Sequence, residues 1–363
     1  MNKGLYVHIP FCGAICHYCD FVKFIYQKEW VSPYLKRLKE DLAFFNVPPK
    51  LNTIYIGGGT PTVLSKEELK ELLTLLKPYT KHVTEFTVEA NVESITKEKL
   101  ELMKEFGVNR LSIGVQSTND ERLVSLNRLH SYIDIKKAIK LVKEVGFTNF
   151  SVDLIYGLPK QSKDELRQDI ANILKLEPPH IATYDLQIET NTIAYINKWL
   201  KISDEESREM YEIILKALRK AGYKRYEVSN FAKPTFESVH NKLYWRNDNY
   251  YAIGLGASGY INNKRYIIKG GLKNYLQGSP KIEEDTITKE MYIEEYLMLN
   301  LRLEDGFLLD DFNKKTGLDF KKAFAVPLEK LHKMGLIYID DYRFSLTDEG
   351  ILLLDSVILT LIS

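Results

Sequence analysis

Cysteine is scarce in this sequence, because its 363 residues contain only three. An odd number that small cannot build the disulfide framework of a small secreted domain. All three thiols lie close together near the N-terminus, at Cys12, Cys16 and Cys19. Free thiols are typical of a reducing compartment.

The sequence also lacks a charge imbalance and a long apolar run. Its 50 basic and 49 acidic residues leave a net charge of +1, which gives no electrostatic reason to expect nucleic-acid binding. The longest apolar candidate, residues 351–362, is interrupted by Asp355 and falls short of the roughly 18 residues of a membrane span. The N-terminal residues show no signal-peptide pattern, so we expect a cytoplasmic protein.

The first two-thirds of the chain alternates short β-rich runs with helical patterns, as in an α/β fold with a parallel sheet. Serine or threonine before acidic residues predicts helix starts at Ser65 and Thr96. The sequence predicts strands at Leu5–Ile9, Thr53–Gly57, Glu85–Ala90, Arg110–Val115, Asn149–Tyr156 and Ile181–Ile188. It predicts helices at Pro33–Phe45, Lys66–Lys77, Lys97–Phe106, Ile133–Val145 and Lys163–Leu176.

Such a sheet is either open or curled into a barrel, and the pattern alone does not choose. In both forms, ligands bind at the carboxyl ends of the strands. After about residue 190 the alternation stops: a helix is predicted at Ser203–Ala221, and an aromatic and glycine-rich stretch follows. From residue 288, three helical patterns, a short hairpin and a last helix capped by Thr347 predict a small winged-helix-like unit.

The three cysteines have the spacing C-x3-C-x2-C. Soft thiolates select iron–sulfur clusters, copper(I) or zinc. Three of them can hold three irons of a [4Fe–4S] cluster and leave the fourth iron open. A zinc site usually needs four protein ligands, for which His8 or His17 would have to supply the fourth. Zinc and unconnected cysteines therefore remain as alternatives.

Residues 6–21, YVHIPFCGAICHYCDF, resemble the signature of the radical S-adenosylmethionine (SAM) enzymes, in which the open iron binds SAM. The flanking YxHxPFC and CDF are similar to the coproporphyrinogen-oxidase-like branch. The oxidase carries a further cysteine where this chain has Phe21, so the resemblance points to the HemW haem chaperones. It implies a partial (β/α)6 barrel over residues 1–190, a mixed insert over 191–287 and the winged-helix-like domain over 288–363.

Several polar or glycine-rich motifs follow the predicted strands. The glycine-rich turn GGGTP at residues 57–61 lets the backbone approach a ligand closely. The resemblance implies that Gly58, Gly59 and Thr60 hold the methionine end of SAM. Glu89 ends the next strand and suits ribose hydroxyls or an ammonium group, and Gln116, after the fourth strand, offers a donor and an acceptor.

Two charged residues complete the predicted SAM site. The guanidinium of Arg128 suits a carboxylate in a forked geometry, although an arginine on a helix surface is the alternative. Asp153 lies inside an apolar strand, where an unpaired charge is costly, so we expect a partner such as Arg128. The family resemblance also places Tyr6 and Tyr18 against SAM.

Residues 240–245, HNKLYW, are similar to the HNxxYW motif of the HemW chaperones, whose histidine is implicated in holding haem. Imidazole is a common axial ligand of haem iron, and aromatic residues supply an apolar wall. The alternative is that His240 is a core histidine with satisfied hydrogen bonds. Taken as a haem residue, His240 should be dispensable for the cluster and for SAM affinity.

The sequence therefore predicts a haem chaperone that binds a [4Fe–4S] cluster, SAM and haem, and passes haem to acceptor proteins of the respiratory chain at the membrane. The alternative is an oxygen-independent coproporphyrinogen III oxidase that decarboxylates its substrate through a 5′-deoxyadenosyl radical. A third hypothesis, a DNA-binding regulator using the winged-helix-like tail, is disfavoured by the balanced charge.

Overall fold

The computed structural model describes residues 3–362 and is built on one twelve-stranded sheet. Its centre is a series of six parallel strands in the order β1-β4-β5-β6-β7-β8, which curl into a partial barrel. The strands of this half are β1 (Gly4–Ile9), β2 (Phe11–Cys12), β3 (Phe24–Ile25), β4 (Thr53–Gly58), β5 (Glu85–Asn91), β6 (Arg110–Gln116), β7 (Phe150–Tyr156) and β8 (His180–Asp185). The six predicted strands and the predicted fold class are confirmed.

Helices cover the outer face of the parallel strands. Three of them begin with a capping box, in which a serine and an acidic residue bond each other's backbone, at Ser65, Ser131 and Ser162. The helices are α1 (Lys28–Phe44), α2 (Lys66–Leu76), α3 (Lys97–Glu105), α4 (Asp120–Ser125), α5 (Tyr132–Glu144) and α6 (Lys163–Lys175). The sequence did not predict α4, and α1 begins five residues before Pro33, the predicted start.

The strands alternate between two environments. Residues such as Ile54, Ile56 and Val88 face the helices and are fully buried in the main apolar core. Their neighbours Tyr55 and Glu89 face the barrel interior, where they bond each other. Because side chains alternate along a strand, the barrel has an apolar outer face and a polar interior.

Residues 191–287 extend the same sheet at both edges. On one side β10 pairs with β8 and carries β9, and on the other side β11 runs parallel to β1 and carries β12, β13 and β14. The elements are α7 (Ile193–Ile196), α8 (Asp204–Lys220), β9 (Lys224–Arg225), β10 (Asn230–Ala232), α9 (Val239–Trp245), β11 (Tyr250–Ile253), β12 (Ser258–Ile261), β13 (Lys264–Lys269), α10 (Leu272–Leu276) and β14 (Lys281–Thr286). The division of the chain at residues 190 and 287 stays a prediction.

Helix α9 closes the end of the barrel at which the strands begin. Glu85, the first residue of β5, accepts hydrogen bonds from the backbone of Val239 and His240, at 2.8 Å each, and from the Ser238 hydroxyl. Thr53, the first residue of β4, bonds the His240 ring at 2.7 Å. The carboxylate of Glu85 thus caps a helix N-terminus, where the backbone N–H groups have no partners within the helix.

The C-terminal unit combines helices with a three-stranded sheet in the order β15-β17-β16, as a winged-helix-like domain requires. Phe307, Phe312, Phe320 and Phe344 form its aromatic core. One helix predicted up to Met334 is divided at Phe324 into two. The elements are α11 (Lys289–Asn300), β15 (Phe307–Leu308), α12 (Leu309–Thr316), α13 (Phe320–Ala323), α14 (Ala325–Lys333), β16 (Ile337–Ile339), β17 (Arg343–Leu346), α15 (Asp348–Leu352) and α16 (Leu354–Ile362). Within residues 3–362, none of the helices has the length and apolar character needed to cross a membrane.

Candidate functional site

The three cysteines lie at the other end of the barrel, where the parallel strands end. They line a cavity of about 520 Å³. Their loop is held in place from two sides, since the Asn127 amide donates to the backbone oxygen of Ile15 at 2.8 Å and Ala194 N–H donates to that of His17 at 2.8 Å. The loop between β2 and β3 is therefore fixed over the mouth of the barrel.

The three cysteine thiols lie near one another and are all free. Cys12 is buried, while Cys16 and Cys19 are half-buried. Among the described residues, no three His, Cys, Asp or Glu side chains converge closely enough to hold one metal ion. Each iron of a cluster takes its own thiolate, so cluster ligands need not converge on one point. Three thiols on one cavity match the three cysteine ligands of a [4Fe–4S] cluster with one open iron.

Burial raises the pKa of the Cys12 thiol to about 12, although the Thr60 hydroxyl beside it acts in the opposite direction. Burial also raises the pKa of the Cys19 thiol. Thiols in this environment stay protonated at neutral pH, so metal binding must displace their protons.

The two histidines considered as a fourth zinc ligand have other partners. In His8, Nδ1 bonds the Tyr6 hydroxyl and Nε2 bonds the backbone oxygen of Val22, both at 2.9 Å. In His17, Nδ1 lies 2.8 Å from the backbone oxygen of Ser125. His8 thus anchors the cysteine loop from below and has no free ring nitrogen.

The glycine-rich turn runs directly beside the cysteine loop. Gly59 N–H donates to the backbone oxygen of Ile9 at 2.8 Å, and Thr60 N–H donates to that of Phe11 at 2.7 Å. A Cβ atom on Gly59 would lie 2.8 Å from Cys12 Sγ, and Gly58 has a φ of +110°. Only glycine permits this backbone and this approach to the cysteines.

Glu89 lines the same cavity. Its carboxylate accepts hydrogen bonds from the Tyr55 hydroxyl at 2.7 Å and from Gly58 N–H at 3.0 Å. Burial raises the pKa of Glu89 to about 7, and the nearby carboxylate of Asp153 acts in the same direction. A carboxylate held in this way can accept hydrogen bonds from hydroxyl or ammonium groups of a ligand.

Gln116 lines the cavity at an irregular point of the sheet. It has a φ of +70°, and the pairing of β6 with β7 shifts register between Gly114 and Gln116. A non-glycine residue in this conformation is strained, and such strain concentrates at functional sites.

The expected pairing of Arg128 with Asp153 is wrong. Arg128 donates to Asn91 Oδ1 at 2.8 Å and to the backbone oxygen of Gly114 at 2.6 Å, and its Nη1 lies 3.4 Å from Cys16 Sγ. The partners of Asp153 are serine hydroxyls, Ser151 at 3.2 Å and Ser112 at 3.4 Å. Burial raises the pKa of Asp153 to about 6, although both serine hydroxyls and the positive charges of Arg110 and Arg128 act in the opposite direction.

Eleven of the thirteen predicted site residues line this one cavity. They are Cys12, Cys16, Tyr18, Cys19, Gly58, Gly59, Thr60, Glu89, Gln116, Arg128 and Asp153. The cavity also contains residues that the sequence did not single out, namely Asn91, Ser112, Tyr184, Asp185, Leu186, Gln187 and Glu189. Those at the end of β8 could have been found from the rule that ligands bind where parallel strands end.

Tyr6 and His240 are the two predicted residues outside the cavity lining. Tyr6 lies below it, with its ring centre 6.1 Å from that of Tyr55. His240 is fully buried at the opposite end of the barrel, with Nδ1 bonded to Thr53 and Nε2 bonded to the Tyr244 hydroxyl, both at 2.7 Å. Burial lowers the pKa of His240 to about 3.

The prediction that His240 binds haem iron does not fit this geometry. An axial ligand needs a free nitrogen lone pair and access for the porphyrin, and here both nitrogens have partners and the ring has no exposed surface. His240 matches the alternative stated for it, a core histidine with satisfied hydrogen bonds.

Comparison with known proteins identifies two regions of the chain. The sequence pattern of the radical SAM superfamily matches residues 6–173, and that of the HemN C-terminal domain matches residues 287–353. Among curated proteins, the chain is 39% identical to the heme chaperone HemW of Lactococcus lactis, over 96% of this chain and 94% of the relative. It is 39% identical to that of Bacillus subtilis, over 97% of each, and 37% identical to that of Escherichia coli, over 98% and 97%.

The coproporphyrinogen III oxidase HemN of Escherichia coli, a radical SAM enzyme, is a similar solved structure. The alignment covers 100% of this chain and 90% of that chain, with a TM-score of 0.84 and 24% sequence identity. At that identity, the likeness establishes a shared fold and leaves the activity open.

Proposed function

The chain belongs to the HemW family of haem chaperones in the radical SAM superfamily, and we propose that it binds a [4Fe–4S] cluster, SAM and haem, and passes haem to acceptor proteins. The observation that carries this proposal is sequence identity of 37–39% to HemW proteins over nearly the whole chain. The cavity at the carboxyl ends of the strands supports the first two ligands.

We propose Cys12, Cys16 and Cys19 as the ligands of the cluster. Three thiols line one cavity, and the described chain has no fourth cysteine, so one iron would keep an open position. When bound, the cluster supplies an electron and that open position for SAM. The glycine-rich turn packs against Cys12, which brings any ligand held by the turn close to the thiols.

The SAM site is the same cavity. Backbone groups of Gly58 to Thr60 would contact the methionine end, and Glu89 offers a buried acceptor for hydroxyl or ammonium hydrogens. Arg128 donates to Asn91 and to a backbone oxygen, and its Nη1 lies beside Cys16 Sγ. Its positive charge therefore lies next to the proposed cluster, where it would attract the carboxylate of a ligand bound there. Gln116 and Asp153 supply further polar groups at the same level.

The proposal that this chain binds haem rests on its family membership and not on His240. The acceptors would be respiratory proteins at the membrane, reached from the cytoplasm, where free thiols and an oxygen-sensitive cluster are maintained. The oxidase alternative has weaker support, because the HemN likeness concerns the fold and because Phe21 stands where that enzyme has a further cysteine.

The test is to purify the protein without oxygen, reconstitute its cluster and titrate it with haem while following the Soret band. Parallel samples with SAM and a reductant are assayed for decarboxylation of coproporphyrinogen III. We expect saturable haem binding and no decarboxylation. Turnover of coproporphyrinogen without haem binding would instead identify the chain as an oxidase.

A further inference from the structure

A continuous contact joins the closed end of the barrel to the candidate SAM cavity. The ring of His240 stacks on the ring of Tyr55, with centres 5.2 Å apart and planes inclined by 28°. The Tyr55 hydroxyl donates to Glu89 at 2.7 Å. One tyrosine, pointing into the barrel from the middle of β4, thus touches both the α9 histidine and the cavity carboxylate.

Hydrogen bonds as well as packing hold His240 in place. Thr53 and Tyr244 hold its two ring nitrogens, and Glu85 accepts its backbone N–H at 2.8 Å. A ring bonded at both nitrogens cannot rotate without breaking a buried hydrogen bond. It therefore presents one face to Tyr55 in a single orientation.

The side chains of Tyr55 and Glu89 pack so closely that there is no room for a side chain at position 57. A Cβ atom on Gly57 would lie 2.7 Å from Glu89 Cδ and 2.8 Å from Tyr55 Cε1. Glycine at this position lets the tyrosine and the carboxylate approach each other across adjacent strands. On its other side, the Tyr55 ring contacts Tyr6, at 6.1 Å between centres.

We infer that His240 is a positioning residue for the SAM site: it holds the Tyr55 ring, and through the Tyr55 hydroxyl it fixes the orientation of the Glu89 carboxylate. This rests on the proposed SAM site. It assigns to the HNxxYW histidine a role in SAM binding, where the sequence predicted haem ligation with SAM affinity unchanged.

The experiment measures SAM affinity of the reconstituted protein by equilibrium titration in a double-mutant cycle of Tyr55→Phe and His240→Gln. Tyr55→Phe removes one hydrogen bond to a carboxylate and keeps the ring, so we expect about tenfold weaker SAM binding. His240→Gln should weaken SAM binding by about threefold. In the Tyr55→Phe background it should have almost no further effect, because the path to Glu89 is already broken.

Tyr250→Phe is the matched control, because it removes a hydroxyl from another tyrosine next to Tyr244 and does not contact Glu89. It should leave SAM affinity unchanged. If His240→Gln fails to fold, Tyr244→Phe loosens the same ring by freeing its Nε2 and should give a smaller loss of affinity in the same direction.

Haem titrations of the same variants separate this role from haem ligation. We expect His240→Gln to leave the Soret band and haem affinity unchanged. A changed Soret band together with unchanged SAM affinity would overturn the inference and restore His240 as a haem ligand. Fully additive losses of SAM affinity in the double-mutant cycle would show that His240 does not act through Tyr55. Failure of the unchanged protein to bind SAM would overturn the proposed SAM site itself.

Discussion

The two ends of the barrel are built from similar residues and have opposite characters. At the end where the strands begin, Glu85 and His240 are buried: the Glu85 carboxylate accepts the backbone N–H of His240, and the His240 ring bonds the Thr53 hydroxyl. At the end where the strands finish, Glu89 and Asp153 face a cavity of about 520 Å³, and few groups neutralise them. Carboxylates and aromatic rings occur at both ends, so residue type alone does not distinguish them.

What separates Glu85 at one end from Glu89 at the other is how many hydrogen-bond donors each carboxylate has within the protein. A helix N-terminus supplies Glu85 with three donors, and its carboxylate stabilises the fold. Glu89 has two donors and a carboxylate neighbour, and burial raises its pKa to about 7. Incomplete neutralisation of this kind is costly to the fold and typical of binding sites. The closed end therefore serves stability and positioning, and the open end serves binding.

The largest effect is expected from the cysteines at the open end. Changing Cys12, Cys16 or Cys19 to Ser should each abolish the cluster, because every thiolate is a direct ligand and the chain has no other cysteine. Iron, sulfide and visible absorbance of the reconstituted protein report this. Phe21→Ala, an exposed neighbour, is the control and should retain about four irons per chain. A cluster that survives in any one of the serine variants would contradict the assignment.

The second largest effect is a loss of stability, and it is expected at the closed end. Glu85→Ala removes the acceptor of three buried donors at the start of α9, and should lower the free energy of unfolding by about 2–4 kcal/mol. Denaturant titration measures this loss, while iron content should stay unchanged in the folded protein. Glu105→Ala, on the exposed end of α3, should change stability by less than about 0.5 kcal/mol. Equal losses from the two variants would show that α9 is not held by Glu85.

The smallest expected effect is a gain in the free energy of unfolding, and it concerns Glu89 at the open end. Burial raises the pKa of Glu89 to about 7 from its ordinary value of 4.5. Between these two pH values the native state binds more protons than the unfolded state, so the free energy of unfolding falls as pH rises. Glu89→Gln should remove this fall and stabilise the SAM-free protein by about 1–2 kcal/mol at pH 8, with no gain at pH 4.

Denaturant titrations of both proteins at pH 4 and pH 8 provide the comparison. The same substitution should weaken SAM binding by tenfold or more, because it removes a charged acceptor from the cavity. Gln in place of Glu121, an exposed residue of α4, is the control for a lost carboxylate. A Glu89→Gln variant that is less stable at pH 8 would show that the carboxylate is neutralised more completely than its surroundings indicate.

The polar interior of the barrel is visible as a pattern in the sequence. Strands covered on both faces usually form continuous apolar runs. Here the β5 strand reads EFTVEAN and the β6 strand reads RLSIGVQ, with polar residues at alternate positions. The alternation continues in β4, TIYIGG, and β7, FSVDLIY, and so marks Tyr55, Ser112 and Asp153 as members of one inward-facing set. It therefore predicts that Ser112, on the strand next to β7, lies close to Asp153.

The sequence by itself determined the parallel strands, the cysteine loop and the strand-end residues of the cavity up to β7. These follow from local patterns, because strand period, helix caps and glycine turns are set by neighbours along the chain. The contact between α9 and the start of the barrel joins His240 to Thr53, 187 positions away along the chain. Tyr244, the partner of Nε2, lies only four positions away in the same helix. Only the tertiary structure decided that Thr53 occupies Nδ1 as well, since a hydrogen-bond partner so distant in sequence is set by packing and leaves no local pattern.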